Sequence, residues 1–388
     1  MITENLKNHL YQRFGEIEGE IRSYMAPGRV NLIGEHTDYN GGYVLPCALT
    51  FGTRLLIRFN GLDLLRMASM NFDFSTGVPL SNISIKQGNY WINYPLGVLD
   101  QFVRKGITLH GMDMLFAGDI PESAGLSSSA SIEMVTAFAV NDLYSLGYDR
   151  IELIHLARRA ENHFVGVNCG IMDQFAVGQG KKDHAIFLDC DTLHFEHIPL
   201  KLDPYRIVIA NTNKRRTLAD SKYNERVDEC NRSLTLLNQR AQLRNLGELK
   251  IQQFDELQSL LTDPVLMKRC RHIVTEDHRV LESVNALRKN DLALFGQLMN
   301  QSHDSLRDDY EVTGPELDAM VEESRKNQGV LGSRMTGAGF GGCTVSLVHN
   351  GWVDSFIRET DHSYYQRTGL QPSFYVADAG DGVGILQG

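Results

Sequence analysis

The chain has 388 residues, 42% of them hydrophobic and 22% charged, which excludes wholesale disorder and supports a buried core. Its net charge of −10 argues against nucleic-acid or anionic-membrane partners, which ask for a basic face, but not against small polyanions held by backbone amides and a few placed cations. Leu6, Leu10 and Phe14 recur four apart, predicting an amphipathic N-terminal helix, not a signal peptide. No apolar run approaches the ~18 residues of a membrane span. Six cysteines lie scattered without a C-x-x-C pair, the pattern of free thiols in a reducing compartment. The expected location is the cytoplasm.

Strand character follows at 42–49, 53–59, 112–116, 185–188, 206–210, 343–348 and 373–377. Helical patterns fall at 94–105, 129–146, 150–166, 220–243, 255–260, 276–289, 291–307 and 314–326. Strands dominate the first third and long helices fill 215–330, which reads as α+β in two layers instead of a regular βαβ alternation. At roughly 150 residues per domain the length suggests two domains. The turn to helical composition sets them at 1–200 and 201–388, with the last strand free to pack back on the first half.

Four segments carry residues with chemical potential. In Met25-Ala-Pro-Gly-Arg-Val-Asn-Leu-Ile-Gly-Glu-His-Thr-Asp-Tyr39, the side chains of Arg29, Glu35, His36 and Asp38 stand among turn residues, at a loop or strand edge. Carboxylates accept hydrogen bonds from neighbouring hydroxyls, so this run can grip a polyhydroxylated ligand. A solvated polar loop accounts for it as well, and His36-x-Asp38 alone is thin evidence for a metal. Ile120-Pro-Glu-Ser-Ala-Gly-Leu-Ser-Ser-Ser-Ala130 enters an apolar helical run. Free N–H groups and the helix dipole favour phosphate there, and three serine hydroxyls add donors or a metal ligand; an ordinary Ser-capped helix is the plainer alternative. The Walker sequence is absent.

In the third segment, a helical wheel of residues 151–164 puts Glu161 inside the apolar arc of Leu153, Ile154, Leu156, Ala157, Ala160 and Phe164. A carboxylate on such a face is paired, protonated or bound to metal. Asp173 follows on a Gly-containing turn. The fourth, Arg334-Met-Thr-Gly-Ala-Gly-Phe-Gly-Gly-Cys343, satisfies G-x-G-x-x-G but runs into a strand where a dinucleotide site needs a helix. It is a tight loop for close backbone approach.

Together with Trp91-Ile-Asn-Tyr94 and Ser302-His-Asp-Ser-Leu-Arg-Asp-Asp-Tyr310, these segments resemble the galactokinase family, within the superfamily of galactokinase, homoserine, mevalonate and phosphomevalonate kinases. The resemblance covers nearly the whole chain, and Gly28-Arg-Val-Asn-Leu-Ile-Gly-Glu-His-Thr-Asp-Tyr39 is its most specific part. It implies a two-domain α+β fold with the active site between the domains, and transfer of the γ-phosphoryl group of ATP, with Mg²⁺, to the C1 hydroxyl of galactose. By resemblance Asp173 is the catalytic base and Arg29 its partner. Glu35, His36, Thr37, Asp38, Gly170 and Tyr223 match sugar-binding positions. Ser123, Ala124, Gly125, Leu126, Ser127, Ser128 and Ser129 match the triphosphate loop, with Ser69 as a further nucleotide contact and Ser129 and Glu161 as metal ligands. Thr37 and the compact Glu-His-Thr-Asp run favour galactose over an N-acetylated sugar. The family implies galactose and ATP as partners, no nucleic acid or membrane, and a monomer or weak homo-oligomer. Two departures stand out: Ser123 and Ala338 replace glycines of the family pattern, at a cost of roughly 1 kcal/mol if either position needs a positive φ.

Overall fold

The computed structural model describes residues 2–88, 90–120, 125–167, 169–214 and 219–386. The first half runs α1 (Ile2–Phe14), β1 (Arg22–Asn31), β2 (Tyr43–Val44), β3 (Pro46–Phe59), β4 (Leu64–Ser69), β5 (Thr76–Pro79), α2 (Asn93–Arg104) and β6 (Met112–Gly118). It continues through α3 (Ser128–Leu143), α4 (Arg150–Arg159), α5 (Met172–Gln179), β7 (His184–Asp189) and β8 (Phe195–Pro199). The second half holds β9 (Tyr205–Asn211), α6 (Ala219–Leu237), α7 (Ile251–Leu257), α8 (Pro264–Arg288), α9 (Leu292–Ser305) and α10 (Gly314–Lys326). It closes with β10 (Val330–Thr336), β11 (Cys343–His349), α11 (Val353–Thr368), β12 (Ser373–Ala377) and β13 (Gly384–Ile385).

One sheet has the order β13-β1-β3-β6-β4-β5, a second β10-β11-β9-β12, and a third β2-β7-β8. The first two are built from opposite halves of the chain, except that β13 returns to pair antiparallel with β1, Tyr24 opposite Ile385. The largest core lies between the first sheet and α2–α5, around Ile57, Met114, Met134 and Phe175. A second core crosses the halves: Leu32 and Ile33, just after β1, pack in one cluster with Val280 of α8, Phe295 of α9 and Leu347 of β11. The segment after β1 is therefore walled by the second half of the molecule.

Strand β1 contains Pro27 and Gly28, which in isolation punctuate a turn. The ladder absorbs them through a register shift between Pro27 and Arg29, and Gly52 of β3 lies opposite, where a Cβ would strike the Ala26 carbonyl. The bulge re-aims Arg29. At the other end of the sheet, Asp113 of β6 is wholly buried and accepts from Arg58 Nε at 2.9 Å, Arg66 Nε at 2.6 Å and Asn60 Nδ2 at 2.9 Å. Removing that carboxylate strands a fully buried guanidinium. Asp113→Ala is expected to lose about 3–5 kcal/mol in urea unfolding, and a loss below ~1 kcal/mol would show that the pairing is dispensable.

The predicted helix at 314–326 matches α10, and the strands at 112–116, 185–188, 206–210, 343–348 and 373–377 fall within observed strands. Other boundaries differ. The strands expected at 42–49 and 53–59 form β2 and one long β3, because the ladder with β1 resumes across the bulge, with Gly52 opposite Pro27 and Ala48 opposite Arg29. Helix α8 starts at Pro264, twelve residues before the expected 276, capped by Asp263, whose carboxylate accepts from Val265 N. Helix α6 stops at Leu237. The expected helix at 150–166 is α4 followed by a π-helical turn, Ala160–Val165, and a second π turn, Leu306–Tyr310, ends α9.

Candidate active site

The site forms where the bulge of β1, the start of α3, the π turn after α4 and the start of α5 converge. Ser127 sits in left-handed geometry ahead of α3 and turns the chain sharply into that helix, leaving Ser128 and Ser129 in its first turn. The Arg29 backbone N–H donates to the Leu126 carbonyl at 3.1 Å, and its Nη1 to the Gly125 carbonyl at 2.8 Å. Gly28 allows this approach, since a Cβ there would lie 2.9 Å from the Leu126 oxygen. The serine-rich loop is thus fastened to β1 through Arg29. Ser123 and Ala124 lie outside the described residues.

Asp173 occupies the first turn of α5, and not the turn expected from the glycines before it. Helix α5 is eight residues long and no side chain caps it, so little in the local sequence marks its start. Its position faces Asp173 toward Arg29 in a forked pair, with Nε to Oδ1 and Nη2 to Oδ2 both at 2.7 Å. The Ser127 hydroxyl donates to the same carboxylate at 2.5 Å. Arg29 is almost fully buried, whereas Asp173 keeps one open side.

Glu161 is 5% exposed, as the helical wheel requires, although its turn is π-helical. The Cys169 thiol donates to its carboxylate at 3.3 Å and Gln174 Nε2 at 2.5 Å, and the nearby Ser129 hydroxyl favours its charged form. Gln174 Nε2 also reaches Glu133 at 3.1 Å, a wholly buried carboxylate whose Oε1 has no partner. Burial first, then the neighbouring Asp173, raises Glu161; burial and then Glu161 push Glu133 well above the ordinary carboxylate range. A buried acidic pair of this kind beside a serine hydroxyl is a donor set that suits a hard divalent cation. Among the described residues no three or more His, Cys, Asp or Glu side chains form a closed metal cage. An ion that keeps water and phosphate oxygens as its remaining ligands needs none.

The loop after β1 supplies the other wall. Asp38 opens a short 3₁₀ turn, Asp38–Asn40, and is half-buried. Burial of the carboxyl among protein atoms, reinforced by Asp173, pushes it up to about 7. His36 has φ +65°, bonds through Nδ1 to the Tyr39 hydroxyl at 3.0 Å, and is driven down to about 3, chiefly by burial, so it is neutral. Its ring lies 5.8 Å from Tyr223 of α6 and 4.9 Å from Tyr310. Glu35 is 2% exposed and heavily engaged by protein: Asn31 Nδ2 at 2.8 Å, Arg334 Nη1 at 2.9 Å and the Gly337 amide. Gly170 packs against Asp38 so closely that a Cβ would fall 1.7 Å from its Oδ2.

Thr37 faces inward. It is wholly buried, and its hydroxyl turns back to the Gly34 carbonyl at 3.0 Å and the Tyr43 carbonyl at 2.7 Å. Its side chain closes the loop. Ser69 ends β4, with its hydroxyl taken by the Asn71 amide at 3.0 Å; among the described residues no hydrogen bond joins it to the serine loop. Ala338 does not adopt positive φ, so alanine costs nothing there, whereas its neighbours Gly337 and Gly339 do, at +86° and +78°. Glu133, Gln174 and Arg334 were given no role in the sequence, although a carboxylate inside the apolar run of α3 was a visible signal for the first.

Three family models match the chain: the GHMP kinases N terminal domain at residues 93–181, the GHMP kinases C terminal at 283–360, and the galactokinase galactose-binding signature at 11–59. The fold is that of the GHMP kinases, and a mevalonate kinase structure, 20% identical, superposes with a TM-score of 0.68 over 92% of this chain and 98% of its own. Within that superfamily the similarity is far higher. The galactokinase of Fusobacterium nucleatum is 51% identical over 98% of this chain and 99% of its own length, and that of Bacillus subtilis 49% over 99% of each. The structure of Lactococcus lactis galactokinase complexed with galactose is 43% identical and superposes with a TM-score of 0.97 over the full length of both chains. This chain belongs to the galactokinase family, whose members are ATP-dependent sugar kinases.

Proposed function

We propose that this chain transfers the γ-phosphoryl group of ATP to the C1 hydroxyl of D-galactose, with Asp173 as the base. One observation carries the assignment of roles. The Arg29–Asp173 fork stands where the phosphate-type loop, through Gly125, Leu126 and Ser127, meets the sugar-signature loop, through Asp38 and Gly170.

Phosphoryl transfer is largely positioning and charge neutralisation, with attacking and leaving oxygens in line. The open side of Asp173 accepts the C1 hydroxyl proton as that oxygen bonds to the γ-phosphorus and ADP departs. Arg29 holds the carboxylate in one orientation and places positive charge beside the transferring group. The first turn of α3 presents unpaired N–H groups and its dipole to the phosphates. Ser129 and Glu161 fit the Mg²⁺ of the nucleotide, which when bound neutralises phosphate charge. Glu35, His36, Asp38, Gly170 and Tyr223 define the sugar wall. All of these groups belong to one chain, so a monomer or weak homo-oligomer suffices, and six free thiols suit the cytoplasm.

A coupled assay of ADP release with galactose, its epimers and its 2-deoxy and N-acetyl analogues tests the substrate. Galactose is expected to be preferred; clear preference for an N-acetylated sugar would overturn the reading. The pH profile gives an independent check. Asp38 is charged only above about 7, and the charged form is the better hydroxyl acceptor. At saturating ATP, kcat/KM for galactose should therefore fall about tenfold per pH unit below that value. A flat profile between pH 6 and 8 would remove Asp38 from sugar binding.

A further inference from the structure

Behind the sugar loop, away from the Arg29–Asp173 fork, runs a buried line of polar groups that the transfer step does not use. It starts at Glu276 of α8, wholly buried, whose Oε1 accepts from the Gly34 amide at 2.9 Å and the Glu35 amide at 3.3 Å. The same oxygen accepts from the Ser302 hydroxyl of α9 at 2.6 Å, while Oε2 takes Arg279 Nε at 2.7 Å. Ser302 in turn accepts from Arg334 Nε of β10 at 3.1 Å. Arg334, with no exposed surface, ends the line by holding the Glu35 carboxylate at 2.9 Å and the Asn31 carbonyl at 3.0 Å through Nη1.

We infer that Glu276, Ser302 and Arg334 are positioning residues for sugar recognition. They fix both the backbone of residues 34–35 and the carboxylate of Glu35, so that sugar affinity is set from the second half of the chain. This rests on the reading of residues 35–38 as the sugar wall. Glu276 grips the loop by its amides and Arg334 grips it by its side chain, and Ser302 joins the two grips. One turn before Glu276 on α8, His272 Nε2 meets the Glu35 carbonyl at 3.1 Å and adds a third hold. The loop packs closely at Gly34, where a Cβ would lie 2.6 Å from the Tyr43 carbonyl and 2.9 Å from Val280 Cγ2.

Two carboxylates and two guanidiniums balance in this line, as buried charges require. Burial alone would protonate Glu276, but Arg279, His272 and Arg334 outweigh it and hold the carboxyl at about 2. Among the described residues no hydrogen bond runs from these three residues to Ser127, Ser129 or Glu161, so the nucleotide side should not feel their loss.

The test uses the full chain with Ser302→Ala, which cuts the junction, and Arg334→Lys, which keeps the charge but cannot span Ser302, Asn31 and Glu35 with one ammonium. Wild-type turnover of galactose is measured first; its absence would overturn the proposed function, and the variants would then be compared by galactose calorimetry. Each variant is expected to raise KM for galactose about tenfold, with KM for ATP within about twofold and kcat within about threefold. An unchanged galactose KM would overturn the inference. So would equal losses in both KM values and kcat, because these would mark a general structural defect. If one variant fails to fold, as judged by thermal unfolding, the other decides alone.

Discussion

Asp173→Asn should lower kcat by on the order of 10²–10⁴ while galactose still binds. The carboxylate accepts two parallel bonds from Arg29 at 2.7 Å and a third from Ser127 at 2.5 Å. An asparagine there cannot take up the C1 hydroxyl proton, and its NH₂ group would face a guanidinium that needs acceptors. Arg29 would remain in place, because Gly125 still holds Nη1 at 2.8 Å and the Leu126 carbonyl holds its backbone N–H. The sugar wall of Glu35, His36 and Asp38 keeps its hydrogen bonds, and loss of the Asp173 charge lets Asp38 ionise more readily. The measurement is a coupled ADP assay for kcat beside calorimetry for galactose. A variant with near-wild-type kcat would remove the base assignment, and one that loses galactose binding in proportion to kcat would recast Asp173 as a sugar ligand.

Gly170→Ala should raise KM for galactose by about 10–100-fold and leave KM for ATP nearly unchanged. Gly170 is not in the left-handed region, so its requirement is spatial and not conformational. A methyl group would sit 1.7 Å from Asp38 Oδ2 and 2.5 Å from its Cγ, and a side chain as short as aspartate can clear it only by rotating its carboxylate out of the site. Because the loss acts through Asp38, adding Asp38→Ala to Gly170→Ala should change little further. Additive losses in that double-mutant cycle would show that Gly170 matters for another reason.

The two expectations rest on different kinds of contact. The Arg29–Asp173 fork spans 144 positions of sequence, and the Gly170–Asp38 contact spans a comparable distance, yet both close on the same few ångströms. What brings them together is the bulge in β1 and the start of α5. The first was hidden by a Pro-Gly pair that resembles a turn, the second by a short helix without a capping side chain. Helix α11 was missed as well, although Phe356, Thr360 and Tyr364 are buried at four-residue spacing, the period that marks a packed helical face.

The sequence by itself determined which loops are candidates for the chemistry, that Glu161 must be buried on an apolar face, that the glycine run lacks the helix a dinucleotide site needs, and where elements such as α10 lie. These follow from short-range patterns: helical period, turn residues, and the cost of an acid on a core face. The tertiary structure alone decided that Thr37 turns inward, that Ala338 carries no strain, that Glu133 and Glu161 share Gln174, and that Glu35 answers to Arg334 and Glu276 of the second half. The physical reason is the same in each case. A polar side chain looks identical in a sequence whether water or a buried partner satisfies it, and the partner is supplied by sheet register and helix packing between segments far apart in the chain.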